Sequence, residues 1–261
     1  FASQNEELMN FNEPSEFIGY DHLTCDGKII ALFNAEGKMV DSLEDEGMII
    51  LDETCFYAES GGQVADKGTF SADGVDVEVL DVQKTRNKQH IHTVKINSGV
   101  LEKGMSLHGE VNVKDRLATT ANHSCTHLLQ SALVKVLGDH IHQAGSYNCP
   151  EYLRFDFNHY EKVTAEQLAE VERIVNEYIS AAYPVTKEVM PIEEAKKLGA
   201  MALFGEKYGD KVRVVRMGDF STELCGGPHV KNTSEISCFK ILSEAGVAAG
   251  VRRIEALTSD G

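Results

Sequence analysis

The stretch VKDRLATTANHSCTHLLQSALVKVL, residues 113–137, is where the pattern of the chain changes from strands to helices. Gly138 follows it directly, and glycine is the residue that most often ends a helix. The spacing therefore predicts a helix over 113–137 that buries one apolar stripe. The stripe consists of Leu117, Ala121, Leu128, Leu129, Ala132, Leu133, Val136 and Leu137.

Upstream of this helix the sequence is typical of short β-strands separated by turns. Clusters such as Ala35-Glu36-Gly37, Asp73-Gly74 and Asn97-Ser98-Gly99 are turn signals. Short strands at this spacing are typical of a small barrel or sandwich. We predict a small N-terminal β-barrel domain over residues 17–110. Its predicted strands are 29–34, 48–57, 75–84 and 92–96.

Residues 1–16 show no recognisable core element, and we interpret them as a tail or linker. The chain begins with Phe1 rather than Met, so we expect it to be a piece of a longer protein.

Downstream of the helix, helical and strand patterns are mixed. Thr164 and Gln167 have the spacing of a capping box, which predicts a second helix over 165–182. Pro191 opens a short third helix that stops at Gly199. We predict an α+β domain over 111–261, with helices packed on a mostly antiparallel sheet. Its predicted strands are 185–190, 211–217, 236–242 and 251–257.

Composition limits the class of protein. With 25 Lys and Arg against 41 Asp and Glu, the net charge is −16, which argues against broad, non-specific nucleic-acid binding but allows a local contact. The six cysteines form no CxxC pair, so reduced thiols or a metal ligand are better interpretations than disulfides. Without a signal segment or a long apolar stretch, we expect a cytoplasmic protein.

Two pairs of side chains have metal-ligand spacing. His123 and His127 lie four residues apart in the predicted helix, which places both imidazoles on one face. Cys225 and His229 repeat that spacing in a glycine-rich loop. Together they would form a tetrahedral three-nitrogen, one-sulfur set suited to Zn²⁺. The alternative is two buried histidine positions and an inert thiol.

The loop ELCGGPHV, residues 223–230, has its own turn chemistry. Gly226 and Gly227 are expected to let the backbone turn sharply, and Pro228 to stiffen it. The glutamate of an HExxH metalloprotease is absent, because Ser124-Cys125-Thr126 separates the two helix histidines.

Several segments, in order along residues 17–257, resemble the editing domain of alanyl-tRNA synthetases and the small β domain that precedes it. The one visible departure is Pro228, where the family usually has threonine. The segments are FYAESGGQVADKG (56–68), NHSCTHLLQ (122–130), HQAGSYN (142–148), LRFDFNH (153–159), GEKYGDKVRVV (205–215) and ELCGGPHV (223–230).

The resemblance implies a zinc-containing aminoacyl-tRNA deacylase. Its reaction would be hydrolysis of misacylated tRNA(Ala), removing serine, with glycine as a second candidate. The implied partners are the tRNA acceptor end and the aminoacylation and C-terminal domains of the same chain. The alternatives are a free-standing trans-editing deacylase, a non-catalytic zinc-stabilised RNA-binding module, and an unrelated zinc hydrolase of small esters.

The resemblance also implies site residues. Thr126, Gln143 and Cys225 are the catalytic candidates, and the first two would read the serine hydroxyl. Alternatively, Thr126 bonds its own helix backbone and Gln143 faces water.

Further substrate-binding candidates are Arg154, which alternatively pairs with Asp156 or another acid, and the loop residues Gly61, Gly62 and Gln63, which alternatively form a plain turn. Whether zinc would acidify a water or only position the substrate stays open, because four protein ligands are usual in structural sites.

Overall fold

The computed structural model describes residues 6–200 and 209–258, so the first four residues of the segment 205–215 lie outside it. The chain divides into two compact units. The first takes in Phe1–Ser60 and Val64–Arg116, and the second takes in Gly61–Gln63 and Leu117–Gly261. The short segment 61–63 is therefore grouped with residues that follow it much later in the chain.

The first unit is an antiparallel barrel of six strands. The barrel closes because β11 pairs with β7 on one side and with β2 on the other. Around the ring the order is β2, β5, β9, β8, β7 and β11. The bounds of the elements are α1 (Glu6–Asn10), β1 (Glu16–Phe17), β2 (Thr24–Phe33), β3 (Met39–Val40), β4 (Ser42–Leu43), β5 (Glu46–Leu51), β6 (Glu53–Thr54), β7 (Gly68–Ala72), β8 (Val75–Lys84), β9 (His90–Ser98), β10 (Leu101–Glu102) and β11 (Ser106–Val111).

The barrel interior follows from residue alternation along its strands. In β8, Val75, Val77 and Val79 are buried while Asp76 and Glu78 between them are exposed. Successive side chains of a strand point to opposite faces, so this pattern fills the interior and leaves the acids in water. The predicted small β-barrel is confirmed.

The individual strands agree with the sequence to different degrees. The prediction 75–84 coincides with β8, and 92–96 lies inside β9. The prediction 48–57 was wrong as one strand, because the chain breaks at Asp52, whose carboxylate accepts a backbone hydrogen bond from β2. The sequence does not predict β7 and β11, whose GTFSA and SLHGEV carry few apolar residues.

The interpretation of residues 1–16 as a tail was wrong for Leu8. This side chain is 2% exposed and packs with buried residues of β2, β5 and β9. A five-residue helix shows no periodic stripe, so one buried leucine leaves no sequence pattern to detect.

The second unit is an α+β fold with two antiparallel sheets. One sheet has the order β12-β13-β18-β17 and the other the order β14-β15-β16. The bounds are α2 (Val113–Leu137, which begins in the first unit), β12 (Gln143–Asn148), β13 (Leu153–Asn158), α3 (Ala165–Ser180), β14 (Val185–Pro191), α4 (Ile192–Lys197), β15 (Lys211–Met217), β16 (Ser221–Leu224), a 3-10 turn (Thr233–Ile236), β17 (Lys240–Ala248) and β18 (Val251–Leu257).

Helices α2 and α3 share one apolar core with both sheets. The capping box of α3 is complete: Gln167 N donates to Thr164 Oγ1 at 3.1 Å, and Thr164 N donates to Gln167 Oε1 at 2.9 Å. The predicted α+β class, with helices packed on mostly antiparallel sheet, is confirmed. The prediction 236–242 was misplaced, since a 3-10 turn ends at Ile236 and β17 begins at Lys240.

Helix α2 has the predicted bounds but not the predicted single buried stripe. Leu117 is 58% exposed, whereas residues 119–130 are buried around the whole helix. Polar side chains on the other faces are thus enclosed by protein, which places them in the site described next. Within residues 6–200 and 209–258, no helix is long and apolar enough to cross a membrane.

Candidate metal centre

The helix α2 places His123 and His127 one turn apart with nearly parallel rings. Their ring centroids lie 5.5 Å apart, and the side chains are 3% and 5% exposed. Residues four apart on a helix lie on one face, so both imidazoles approach the same point.

The loop after β16 supplies two further side chains to that point. Cys225 Sγ lies 3.5 Å from His123 Nε2 and 3.2 Å from His229 Nε2. The four candidate ligand atoms all lie within 4.8 Å of one another, and all four residues are buried. The structure therefore brings together His123, His127, Cys225 and His229.

Gly227 allows this loop to approach the helix. A Cβ atom at this position would lie 2.4 Å from Cε1 of His123, so any side chain would collide with the ring. Neither Gly226 nor Gly227 has a positive φ. The expectation that both glycines serve a sharp turn is thus corrected for Gly227, where the requirement is close approach.

Two cations on the neighbouring strands hold the loop backbone. Arg213 Nη1 donates to Gly227 O at 2.6 Å, and Lys187 Nζ donates to His229 O at 3.0 Å. These two bonds hold the loop backbone in place, and they thereby fix the positions of the side chains of Cys225 and His229.

The outer nitrogens of the two helix histidines meet acceptors. His123 Nδ1 lies 2.7 Å from Gln63 Oε1, and His127 Nδ1 contacts the buried carboxylate of Glu223. Both acceptors lack a hydrogen, so each Nδ1 carries the proton and each Nε2 keeps its lone pair. Such outer partners orient histidine ligands in metal sites.

The third histidine is held by a helix hydroxyl. Ser124 Oγ lies 3.0 Å from His229 Nδ1 and accepts from Val230 N at 3.1 Å. His229 Nε2 is thereby turned toward Cys225 Sγ.

Burial keeps these histidines neutral. Removal from water lowers the pKa of His123 to about 4, with the charge of Arg213 as a smaller cause. Removal from water also holds the pKa of His127 and of His229 well below the ordinary value. Neutral imidazole is the form that binds metals.

The donor set fits a metal ion. Three inward nitrogens and one sulfur match the soft, tetrahedral sets that favour zinc. His127 Nε2 is buried without a hydrogen-bond partner in the described residues, as expected of a nitrogen whose lone pair is reserved for an ion.

The segment 61–63 packs along β12. Asn148 N donates to Gly62 O at 2.7 Å, and Gln63 and Asn148 form a parallel bridge. Gly62 has a φ of +84°, and a Cβ there would lie 2.3 Å from Ser146 Oγ. The structure thus places Gly62 and Gln63 beside β12 and His123, which a plain turn would not require.

The two hydroxyl-reading candidates differ in position. Thr126 is buried, and its Oγ1 lies 3.0 Å from Asn122 O and 2.9 Å from Asn148 Oδ1. Gln143 is half-buried at the start of β12, and its Nε2 donates to Ser146 Oγ at 3.2 Å.

Arg154 lies on β13, and its guanidinium sits over the ring of Tyr147 at 5.4 Å. Asp156, one of the acids considered as its ion-pair partner, instead accepts from Arg253 at 2.8 and 3.0 Å. Arg154 Nε is buried and has no hydrogen-bond partner in the part of the chain that is described.

Sequence reasoning missed Glu223, Ser124 and Asn148. An acid in β16, two residues before Cys225, is a weak signal for Glu223. Nothing local marks Asn148, because its partners come from two distant parts of the chain.

Comparison with known proteins gives consistent matches. The family described as tRNA synthetases class II (A) matches residues 1–115. The family described as the threonyl and alanyl tRNA synthetase second additional domain matches residues 212–255, which include Cys225 and His229.

Among individual relatives, the alanine–tRNA ligases of Bacillus subtilis (strain 168) and Exiguobacterium sibiricum are each 51% identical over 99% of this chain. That of Methylococcus capsulatus is 50% identical over 99%. The chain spans about 30% of the length of these curated relatives.

Proposed function

Because the chain belongs to the alanine–tRNA ligase family, we propose that it performs an editing hydrolysis, removing serine, with glycine as a second candidate, from misacylated tRNA(Ala). The observation that carries this proposal is the buried group of three histidines and one cysteine, each histidine held at Nδ1 by an outer partner. Partners in this proposal are the tRNA acceptor end and the rest of a longer ligase.

Editing is needed because a binding pocket for alanine has a limited ability to reject similar amino acids. A pocket shaped for alanine rejects serine poorly, because an added hydroxyl costs little there, and it cannot reject the smaller glycine by size. A second site that hydrogen-bonds the hydroxyl gains discrimination, because alanine would leave its polar groups unpaired.

The residues divide this work. His123, His127, Cys225 and His229 would hold zinc, which would order the pocket and position the substrate when bound. We assign Thr126 and Gln143 to recognition of the substrate side chain. We assign Arg154 to the pocket or to a phosphate of the tRNA acceptor end. A set of four protein ligands favours a positioning role for the ion.

The test is deacylation of seryl-tRNA(Ala) and alanyl-tRNA(Ala) by this chain and by the full-length ligase, with zinc content measured alongside. We expect serine to be released and alanine to be spared. Absence of serine release by the zinc-loaded full-length protein would contradict the proposal. Release by the full-length protein alone would assign tRNA recognition to the other domains.

Cys225→Ala should lose zinc and reduce serine release to background, because it removes the single sulfur ligand. Cys238→Ala is the matched control, since this half-buried thiol lies outside the ligand group. Full serine release by the metal-free Cys225 variant would refute the site.

A further inference from the structure

Asn148 has a buried side-chain amide whose oxygen is paired and whose nitrogen is not. The residue is fully buried, and its Oδ1 accepts from Thr126 Oγ1 at 2.9 Å. Its Nδ2 is buried and has no hydrogen-bond partner within the described residues. Buried amide donors are nearly always paired, so this unpaired donor requires a partner that the described part of the chain does not supply.

Thr126 complements this donor with an acceptor. Its one hydroxyl hydrogen is directed to Asn148 Oδ1 or to Asn122 O, at 2.9 and 3.0 Å. A hydroxyl oxygen has two lone pairs in addition to its hydrogen, so Thr126 Oγ1 can still accept. The two neighbouring side chains therefore present one free donor and one free acceptor.

The adjacent asparagine does not share this property. Asn122 Nδ2 donates to Cys149 O at 2.7 Å, and its Oδ1 accepts from Thr258 Oγ1 at 2.7 Å. Its amide is satisfied at both ends, so the unpaired donor belongs to Asn148 alone of these two.

The position of Asn148 is fixed relative to the metal group. Its backbone N–H donates to Gly62 O, and its bridge partner Gln63 contacts His123 Nδ1. Its other side-chain neighbour, Thr126, directly precedes His127 in the helix. A single residue thus connects Asn148 to each of two candidate ligands: Gln63 connects it to His123, and Thr126 connects it to His127.

We propose that Asn148 is a specificity-determining residue that reads the serine hydroxyl together with Thr126. Asn148 Nδ2 donates to the hydroxyl oxygen of serine, and the serine hydroxyl donates to Thr126 Oγ1. A hydroxyl both donates and accepts, so it satisfies both groups at once. This inference rests on the proposed editing function.

The geometry gives different results for three amino acids. Serine pairs both groups, whereas the methyl of alanine would leave both unpaired beside an apolar group. Glycine has no side chain and makes no contact with either. Asn148 should therefore favour serine and contribute little to the handling of glycine, which supplies an internal reference.

The experiment measures kcat/KM for deacylation of seryl-tRNA(Ala) and glycyl-tRNA(Ala) by Asn148→Ala and Asn148→Asp. The Asp variant keeps the acceptor for Thr126 and removes the donor. We expect the seryl-to-glycyl ratio to fall about ten-fold or more in both variants, because the hydroxyl loses a partner built to bond it. Melting temperature and zinc content check that the site is intact.

Asn176→Ala is the matched control. This half-buried asparagine bonds Glu172 O and Phe239 O, each at 2.9 Å, and its loss should leave the ratio unchanged. An unchanged ratio in folded, zinc-loaded Asn148 variants would overturn the inference alone. Absence of seryl deacylation by the unaltered full-length ligase would overturn the proposed function as well.

A second measurement needs no substitution at all. The side-chain amide NMR signal of Asn148 is followed while amide-linked seryl and alanyl analogues of aminoacyl-adenosine are added to the unaltered protein. The seryl analogue should shift this signal and the alanyl analogue should not. Equal shifts with both analogues, or none with either at saturating binding, would overturn the inference even if the variants fail to fold.

Discussion

Both units bury histidine, but they use its two nitrogens differently. In the barrel, His92 has Nδ1 3.0 Å from Ile49 O and Nε2 2.8 Å from Thr54 Oγ1. In the second unit, His123 and His127 are held only at Nδ1, and Nε2 faces the other candidate ligands. An unused nitrogen that faces other candidate ligand atoms, and not burial alone, distinguishes these two histidines from His92.

The pKa values of the two groups do not distinguish them. Removal from water lowers the pKa of His92 and of His123 to about 4 in each case. Either ring is therefore neutral at pH 7, and the difference lies in whether a lone pair remains unused.

The largest expected effect is the loss of stability at low pH that comes from protonation of His92 in the barrel. The unfolded chain binds a proton at His92 below about pH 6.5, but the folded protein does so only near pH 4. Stability contributed by neutral His92 is thus present above pH 6.5 and lost on acidification, by about 3 kcal/mol at pH 4. Urea unfolding followed by NMR signals of barrel methyl groups measures this loss.

His92→Gln is the comparison for that loss. Glutamine does not titrate, so the fall in unfolding free energy between pH 7 and pH 4 should shrink. His90, whose pKa is lowered to about 3 by burial and also by the charge of His92, titrates in both proteins, and the part of its shift that is due to burial cancels in the difference. Zinc content should stay unchanged, and identical pH profiles would show that folding does not lower the pKa of His92.

A smaller effect is expected at the carboxylate behind the candidate metal ligand. Glu223→Gln keeps the shape but weakens the acceptor that orients His127, so zinc affinity should fall about 10- to 100-fold. Competition with a coloured chelator measures the affinity.

Glu188→Gln is the matched control, an exposed acid on β14 in the same unit. It removes the same charge and should leave zinc affinity unaltered. Equal losses in the two variants would mean that net charge, and not orientation of His127, sets the affinity.

The smallest effect is expected at Ser124→Ala. The lost group is a neutral hydroxyl behind His229, so zinc affinity should fall about ten-fold or less. Ser131→Ala removes a hydroxyl from the same helix, one that donates to Phe220 O, and should change nothing at the metal. If zinc affinity fell further in Ser124→Ala than in Glu223→Gln, the expected order of these two effects would be wrong.

The parts of the molecule governed by local periodicity were predictable from sequence. The bounds of α2 and the alternation of β8 follow from residue spacing, and the chain keeps that spacing when it packs. The capping box at Thr164 is equally local, because both of its bonds join residues three positions apart.

The outer partners of the candidate site could not be predicted in this way. Gln63 lies 60 residues before His123, and Ser124 lies 105 residues before His229. Such pairs are set by packing of the whole unit, so no spacing rule finds them. The exposure of Leu117 has the same origin. Periodicity shows which residues form an apolar stripe, but not how far along the helix other parts of the protein bury that stripe.

The segment Gly61–Gln63 lies within the barrel region of the sequence but belongs to the second compact unit. A cut made at one position in the sequence therefore does not separate the two units. A gene trimmed to begin at residue 111 would encode helices α2, α3 and α4 and all four candidate ligands. It would omit Gln63, so His123 would lose the acceptor that fixes its proton on Nδ1. A truncation at residue 111 would therefore keep the candidate ligands but free the ring of His123 from the partner that orients it.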